Sequence, residues 1–316
     1  MKQHFSPNAA IIETAATTKK RNIFIIILIF IALYLISSLA SSLIAIIPLT
    51  LYFVFSSGTH ASASTSVSDW MNIISLFITA VPIIAILIYC CKIEKRRIIT
   101  LGFVKKGAFV EYVAGLGIGL LMFTAAYAII LVSGESKFMG FNPEVSFGMV
   151  FLFFLGFLIQ GASEEIMLRS YFFVSGAANS NVIVSLIVSS GFFAALHLLN
   201  PGISPLAIEN LFLFGVFAAL YFLRRGSIWG ICAIHSIWNF AQGNIFGCEV
   251  SGMGMENSLI LTAKQSGTLW SGGAFGPEGG IGVTIVLTAG ILILTFMKNK
   301  HIDGFILQKE PESSQA

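Results

Sequence analysis

Long apolar runs separated by short polar segments dominate the chain. The hydrocarbon core of a bilayer needs about 20 apolar residues in a helix, and eight runs approach or exceed that length. They cover residues 23–55, 71–91, 108–132, 147–173, 182–199, 206–223, 227–248 and 281–297. The pattern predicts an all-α polytopic membrane protein with about eight transmembrane helices.

The same pattern gives the expected domain organisation. Residues 1–22 form an N-terminal segment, 23–300 the membrane domain and 301–316 a tail. We expect the polar stretches up to Thr18 and from Asp303 to be poorly ordered. The first apolar run is far longer than the roughly 7–15 residues of a signal-peptide core, so we interpret it as a retained first span.

The composition also indicates a membrane protein. Of the 316 residues, 56% are hydrophobic and only 10% are charged, whereas an average soluble domain has about 25% charged residues. The net charge of +3 is too small and dispersed to indicate nucleic-acid binding.

Basic residues are concentrated in alternate loops, which predicts the orientation. By the positive-inside rule these loops lie in the cytoplasm. Both termini are therefore expected to be cytoplasmic, in a multi-pass protein of the cell membrane, and an even number of spans agrees with this. The basic residues are Lys19, Lys20, Arg21, Lys92, Lys95, Arg96, Arg97, Lys105, Lys106, Arg224, Arg225, Lys298 and Lys300.

Ionisable residues inside the fourth apolar run are the first candidates for a functional site, because charges are costly in a membrane. Glu165 and Arg169 are four residues apart and share a helix face. Glu164 points about 100° away from Glu165 around the helix axis. Arg169 can thus neutralise one carboxylate and leave the other free, although a purely structural network of all three is the alternative.

Two further polar motifs lie in later runs. Phe193 and His197 share one helix face, as do His235 and Asn239. Unsatisfied polar groups in hydrocarbon cost several kcal/mol each, so these side chains need partners. Hydrogen bonding between spans is the structural alternative to a catalytic role.

This set of residues suits hydrolysis. A buried glutamate beside a histidine can act as a general base on water. His235 and Asn239 can donate to the oxyanion that develops on a carbonyl, and one such donor is worth about 3–4 kcal/mol. Glu164, His197 and His235 also match the ligand count of catalytic zinc. The sequence has no His-Glu-x-x-His motif, so we expect no required cofactor and keep zinc as the alternative.

Together the motifs resemble the signature of the CPBP family, which includes CAAX prenyl endopeptidases and bacteriocin-processing and self-immunity proteins. The resemblance covers roughly residues 100–300, and the strings GGAFGPEGG and FAQGNIFG are similar to its bacterial branch. The motifs are Glu164-Glu165-x-x-x-Arg169, Phe193-x-x-x-His197 and His235-x-x-x-Asn239.

The resemblance implies an eight-helix intramembrane protease that opens toward the cytoplasm. It implies that Glu164 and His197 activate water and that His235 and Asn239 bind the oxyanion. The other motif residues would have supporting parts: Glu165, Arg169 and Phe193.

We therefore expect an endopeptidase that acts on a peptide or a membrane-associated protein, with the lipid bilayer as its other partner. The first alternative is a non-catalytic immunity or scaffold protein of the same fold. The second is a small-molecule transporter, which the lack of an internal repeat disfavours.

Overall fold

The structure is a computed structural model that describes residues 5–56, 64–264 and 268–297. These residues are mostly helical; the predicted tail, residues 301–316, lies outside them. The α-helices are α1 (Ala9–Thr17), α2 (Ile23–Ser56), α3 (Ser64–Ile78), α4 (Ala80–Ile88), α5 (Ala108–Ser133), α6 (Phe147–Glu165), α7 (Val174–Asn179), α8 (Val182–Ala195), α9 (Pro205–Arg225), α10 (Trp229–Phe240) and α11 (Ile281–Phe296).

Several of these helices have the length and composition of membrane spans. Within the described residues, five segments qualify: Ile23–Pro48, Ser68–Ile93, Ala108–Ser133, Phe147–Asn179 and Pro205–Arg225. Long apolar helices of this kind identify a membrane protein. The predicted runs therefore correspond to real helices, and five of them meet the requirements for a span.

Helix α8 is shorter than its apolar run, which extended to residue 199. Its 14 residues rise about 21 Å, less than the roughly 30 Å of a bilayer core. The helix ends at Ala195 because the chain then approaches Pro201, which disfavours helix before it, and Gly202, whose φ is +72°. The run thus combines a short helix with a tight turn.

The fold also departs from a purely α-helical one. Strands β1 (Ser136–Phe141) and β2 (Ile260–Lys264) pair antiparallel, with Ser136 opposite Lys264. Both strands are short and partly exposed, so neither carries an apolar run long enough to stand out in the sequence.

The N-terminal segment is ordered where the sequence predicted disorder, so that prediction is wrong for α1. The Asn8 Oδ1 caps α1 by accepting the Ile11 N–H at 3.1 Å, and its Nδ2 donates to the Phe222 carbonyl at 3.1 Å. Thr14 Oγ1 accepts from Arg96 at 3.1 Å. These contacts satisfy buried polar groups and attach α1 to the membrane domain.

Helix α10 lies in a tight groove between α5 and α6. A Cβ on Gly119 of α5 would come within 2.5 Å of the Ile234 carbonyl oxygen, and one on Gly161 of α6 within 2.7 Å of the Ser236 nitrogen. Only glycine permits this approach of the backbones. The close crossing brings the polar face of α10, which carries His235 and Asn239, against α6.

Candidate active site

Glu164 and Glu165 occupy the last turn of α6, where the helix changes its geometry. The chain continues from Glu165 into a π-helical segment, Ile166–Phe173, and a second π-helical segment, Ala241–Ile245, follows α10. π-helical insertions occur frequently at functional sites. Here one π-helical segment follows α6 and the other follows α10, the two helices that carry most of the polar motif residues.

Glu165, Arg169 and His235 form a buried charged cluster. Arg169 Nη1 donates to Glu165 Oε1 at 3.2 Å, as the four-residue spacing predicts, and both side chains are fully buried. The Nδ1 atom of His235 lies 2.8 Å from the same oxygen. A carboxylate can only accept, so this ring nitrogen carries a proton. Arg169 also donates to the Gly215 carbonyl at 3.3 Å.

Glu164 is held differently from its neighbour. Its Oε1 accepts a hydrogen bond from Gln160 Nε2 at 2.6 Å. Its Oε2 is buried and accepts no hydrogen bond from the described residues, while His235 Nε2 lies 3.8 Å away. Glu165 Oε2 also lacks a hydrogen bond among the described residues, but Glu165 is held by Arg169 and His235. Glu164 is held only by a neutral amide, and its free oxygen is directed at an imidazole.

Asn239 joins the same group through Gln160. Its Nδ2 donates to Gln160 Oε1 at 3.0 Å. Our sequence interpretation missed Gln160, although it is a polar residue in an otherwise apolar stretch and lies four residues before Glu164, on the same helix face. That spacing is the signal that identifies it.

His197 makes a different contact from the other motif residues. Its Nδ1 is 2.8 Å from the Phe193 carbonyl oxygen, which fixes the proton on Nδ1 and leaves Nε2 with a free lone pair in the neutral ring. Among the residues that the structure describes, no ion pair joins His197 to Glu164 or Glu165. The expected cooperation of Glu164 and His197 in activating water is therefore not a direct ion pair in this conformation.

Phe193 contacts both His197 and the buried cluster that contains Arg169 and His235. Its ring centroid is 4.9 Å from that of His197 and 5.9 Å from that of His235. The Arg169 guanidinium lies 4.8 Å from the same centroid, a favourable cation–π distance. Phe214, which the sequence analysis also missed, packs on His235 at 4.8 Å.

A small internal cavity adjoins His235 and Asn239. Its volume, about 10 Å³, is close to what one water molecule needs. The described residues that line it also include Asn210 and Glu278 but neither Glu164 nor His197. This cavity thus adjoins two of the four predicted catalytic residues.

The zinc alternative requires Glu164, His197 and His235 to converge on one ion. Glu164 and His235 face each other, but no group of three His, Cys, Asp or Glu side chains in the described parts of the chain is placed to hold a metal ion. His197, the third ligand of that alternative, bonds to the Phe193 carbonyl through Nδ1, which leaves its Nε2 available. We therefore derive no step through a metal.

The fold and the site together define a membrane-embedded protein with a buried acid–imidazole cluster. Residues 146–241 match the model of the family described as "Type II CAAX prenyl endopeptidase Rce1-like". Over these residues the match confirms the resemblance inferred from the motifs. All three motifs and Gln160 lie within the match. No curated protein and no solved structure shows a significant match to the chain.

Proposed function

We propose that this protein is an intramembrane endopeptidase of the cell membrane that hydrolyses a peptide bond in a peptide or membrane-associated protein. One observation carries the proposal. Glu164 Oε2, a buried oxygen without a hydrogen-bond donor among the described residues, lies 3.8 Å from His235 Nε2. A carboxylate with a free lone pair beside an imidazole is suited to general-base catalysis.

In the proposed reaction Glu164 takes a proton from water, and the resulting hydroxide attacks the carbonyl carbon. His197 would assist by accepting through Nε2, which its Nδ1 contact with Phe193 leaves unprotonated in the neutral ring. Catalytic hydrogen bonds often shorten only when substrate binds, so the present separation of His197 is compatible with this role. The proton on Glu164 then passes to the leaving amine.

His235 and Asn239 would stabilise the oxyanion. Because His235 donates to Glu165 through Nδ1, donation from Nε2 requires the doubly protonated ring. Two positive charges, Arg169 and His235, then balance Glu164 and Glu165. A neutral cluster is cheaper to bury in a membrane than one with a net charge.

The test is cleavage by the purified protein in liposomes. A library of quenched-fluorescence peptides, with unmodified and prenylated members, is incubated with and without a chelator such as 1,10-phenanthroline. We expect cleavage of some members at rates that the chelator does not change, since no metal takes part in the proposed steps. Cleavage abolished by chelator and restored by zinc would contradict the metal-independent chemistry. Failure to cleave any member would contradict the proposal itself.

We also propose that α8, α10 and α11 cross the membrane with the five longer segments, which gives eight spans and cytoplasmic termini. The exposed residues Lys106 and Glu144 precede and follow α5 and would lie on opposite sides. In intact cells, a membrane-impermeant maleimide should label Glu144→Cys but not Lys106→Cys. Labelling of Lys106→Cys without lysis would reverse the orientation.

A further inference from the structure

Gln160 forms a directed hydrogen-bond chain between α6 and α10. It donates from Nε2 to Glu164 Oε1 at 2.6 Å and accepts at Oε1 from Asn239 Nδ2 at 3.0 Å. The bond to Glu164 lies within α6, and the bond from Asn239 joins α10 to α6 where the two helices approach closely. Gln160 is the only hydrogen-bond donor to Glu164 among the described residues, and His235 Nε2 lies 3.8 Å from the other carboxylate oxygen.

The chemistry of the groups sets the direction of this chain. An ionised carboxylate can only accept hydrogen bonds, so the Gln160 amide must present its NH₂ group to Glu164. Its carbonyl oxygen then faces α10 and needs a donor, which only the NH₂ group of Asn239 supplies there. A flipped Gln160 would place two acceptors against each other at Glu164. The ionised state of Glu164 and the orientation of Asn239 are therefore coupled.

We propose that Gln160 is a positioning residue of the proposed peptidase and that Asn239 acts on Glu164 through it. Gln160 holds the carboxylate so that Oε2 is directed at His235 Nε2. Asn239 uses one amide hydrogen on Gln160 and keeps the second for the oxyanion. The inference rests on the proposed function, because it assigns a role in the same reaction.

The hydrogen bonds from Asn239 through Gln160 to Glu164 predict an effect on kcat rather than on KM. Methionine matches glutamine in length but makes neither hydrogen bond. A hydrogen bond to a charged group is lost in Gln160→Met, which corresponds to a fall in kcat of about 10- to 100-fold. KM should stay within about twofold, because Gln160 does not touch the substrate.

The decisive experiment is a double-mutant cycle on kcat with the best-cleaved peptide of the library. Gln160→Met, Asn239→Ala and the double variant are compared with the unaltered protein in liposomes. Because Asn239 acts partly through Gln160, its replacement should cost less in the Gln160→Met background than alone, and the cost that remains is that of its direct contact with the oxyanion. Losses that simply multiply would overturn the inference.

A matched variant separates positioning from folding. Gln242 is a buried glutamine, whereas Gln160 is half-buried. It lies on the π-helical segment after α10, where it accepts from Trp238 at 3.1 Å and donates to the Glu249 carbonyl at 2.6 Å. Gln242→Met loses comparable buried bonds away from Glu164. We expect it to lower the unfolding temperature at least as much as Gln160→Met but to change kcat by less than about threefold.

Different results would overturn the role of Gln160 and the proposed peptidase function. Multiplicative losses, or equal kcat effects of Gln160→Met and Gln242→Met, overturn the role of Gln160 while Glu164-dependent cleavage stands. Full activity of Glu164→Gln removes the proposed function, and the inference with it.

Discussion

Replacement of Glu164 by glutamine is expected to lower the rate of cleavage by about 10²- to 10⁴-fold, the range that general acid–base catalysis contributes. Glutamine has the same shape but cannot take a proton from water. Its amide oxygen can still accept the hydrogen bond from Gln160 Nε2, so the helices should remain in place. Initial rates of peptide cleavage in liposomes measure the effect, and thermal unfolding checks the fold.

A double exchange provides the matched control for Glu164. In Gln160→Glu with Glu164→Gln the carboxylate moves one helical turn along α6, while the hydrogen bond between the two positions and the net charge are kept. Asn239 can still donate to the new carboxylate at position 160. We expect this variant to fold and to remain inactive. Activity in the exchanged protein would show that the location of the carboxylate is unimportant and would refute the assigned role.

Replacement of Arg169 by methionine is expected to destabilise the protein by about 3–5 kcal/mol, the usual cost of removing one partner from a buried ion pair. Glu165 and Arg169 are fully buried, and only His235 would remain to balance Glu165. The free energy of unfolding in mixed micelles, measured by titration with a denaturing detergent, gives the size of the loss.

Two comparisons identify the cause of that loss. Arg97 pairs with Glu13 at 3.1 Å, but its side chain is 66% exposed. Arg97→Met should therefore cost no more than about 1 kcal/mol. Adding Glu165→Gln to Arg169→Met removes the uncompensated charge and should recover part of the stability. An equal loss for Arg97→Met and Arg169→Met would contradict the burial argument.

The sequence predicted the parts of the molecule that depend on local patterns. Apolar runs determine where helices form, so α2, α5 and α9 lie close to their predicted positions. The Glu165–Arg169 pair follows from helical spacing alone, because residues four positions apart in a helix are neighbours on its surface. Charge burial then makes the pair obligatory in a membrane.

Features that depend on contacts between distant elements were not predictable in the same way. The position of His197 depends on the turn after α8, where its Nδ1 bonds to the Phe193 carbonyl oxygen. Helix α1 is ordered because Asn8 and Thr14 find partners on Phe222 and Arg96, far along the chain. The strand pairing of residues 136–141 with 260–264 has the same long-range origin.

The most direct test of the central claim follows the oxygen of the attacking water. The protein in liposomes is incubated with its best-cleaved peptide in H₂¹⁸O, and the products are analysed by mass spectrometry. We predict one ¹⁸O atom in the new carboxyl terminus at early times, and almost no product with Glu164→Gln. Equal amounts of labelled product from both proteins, or a peptide left intact by both, would contradict hydrolysis at Glu164.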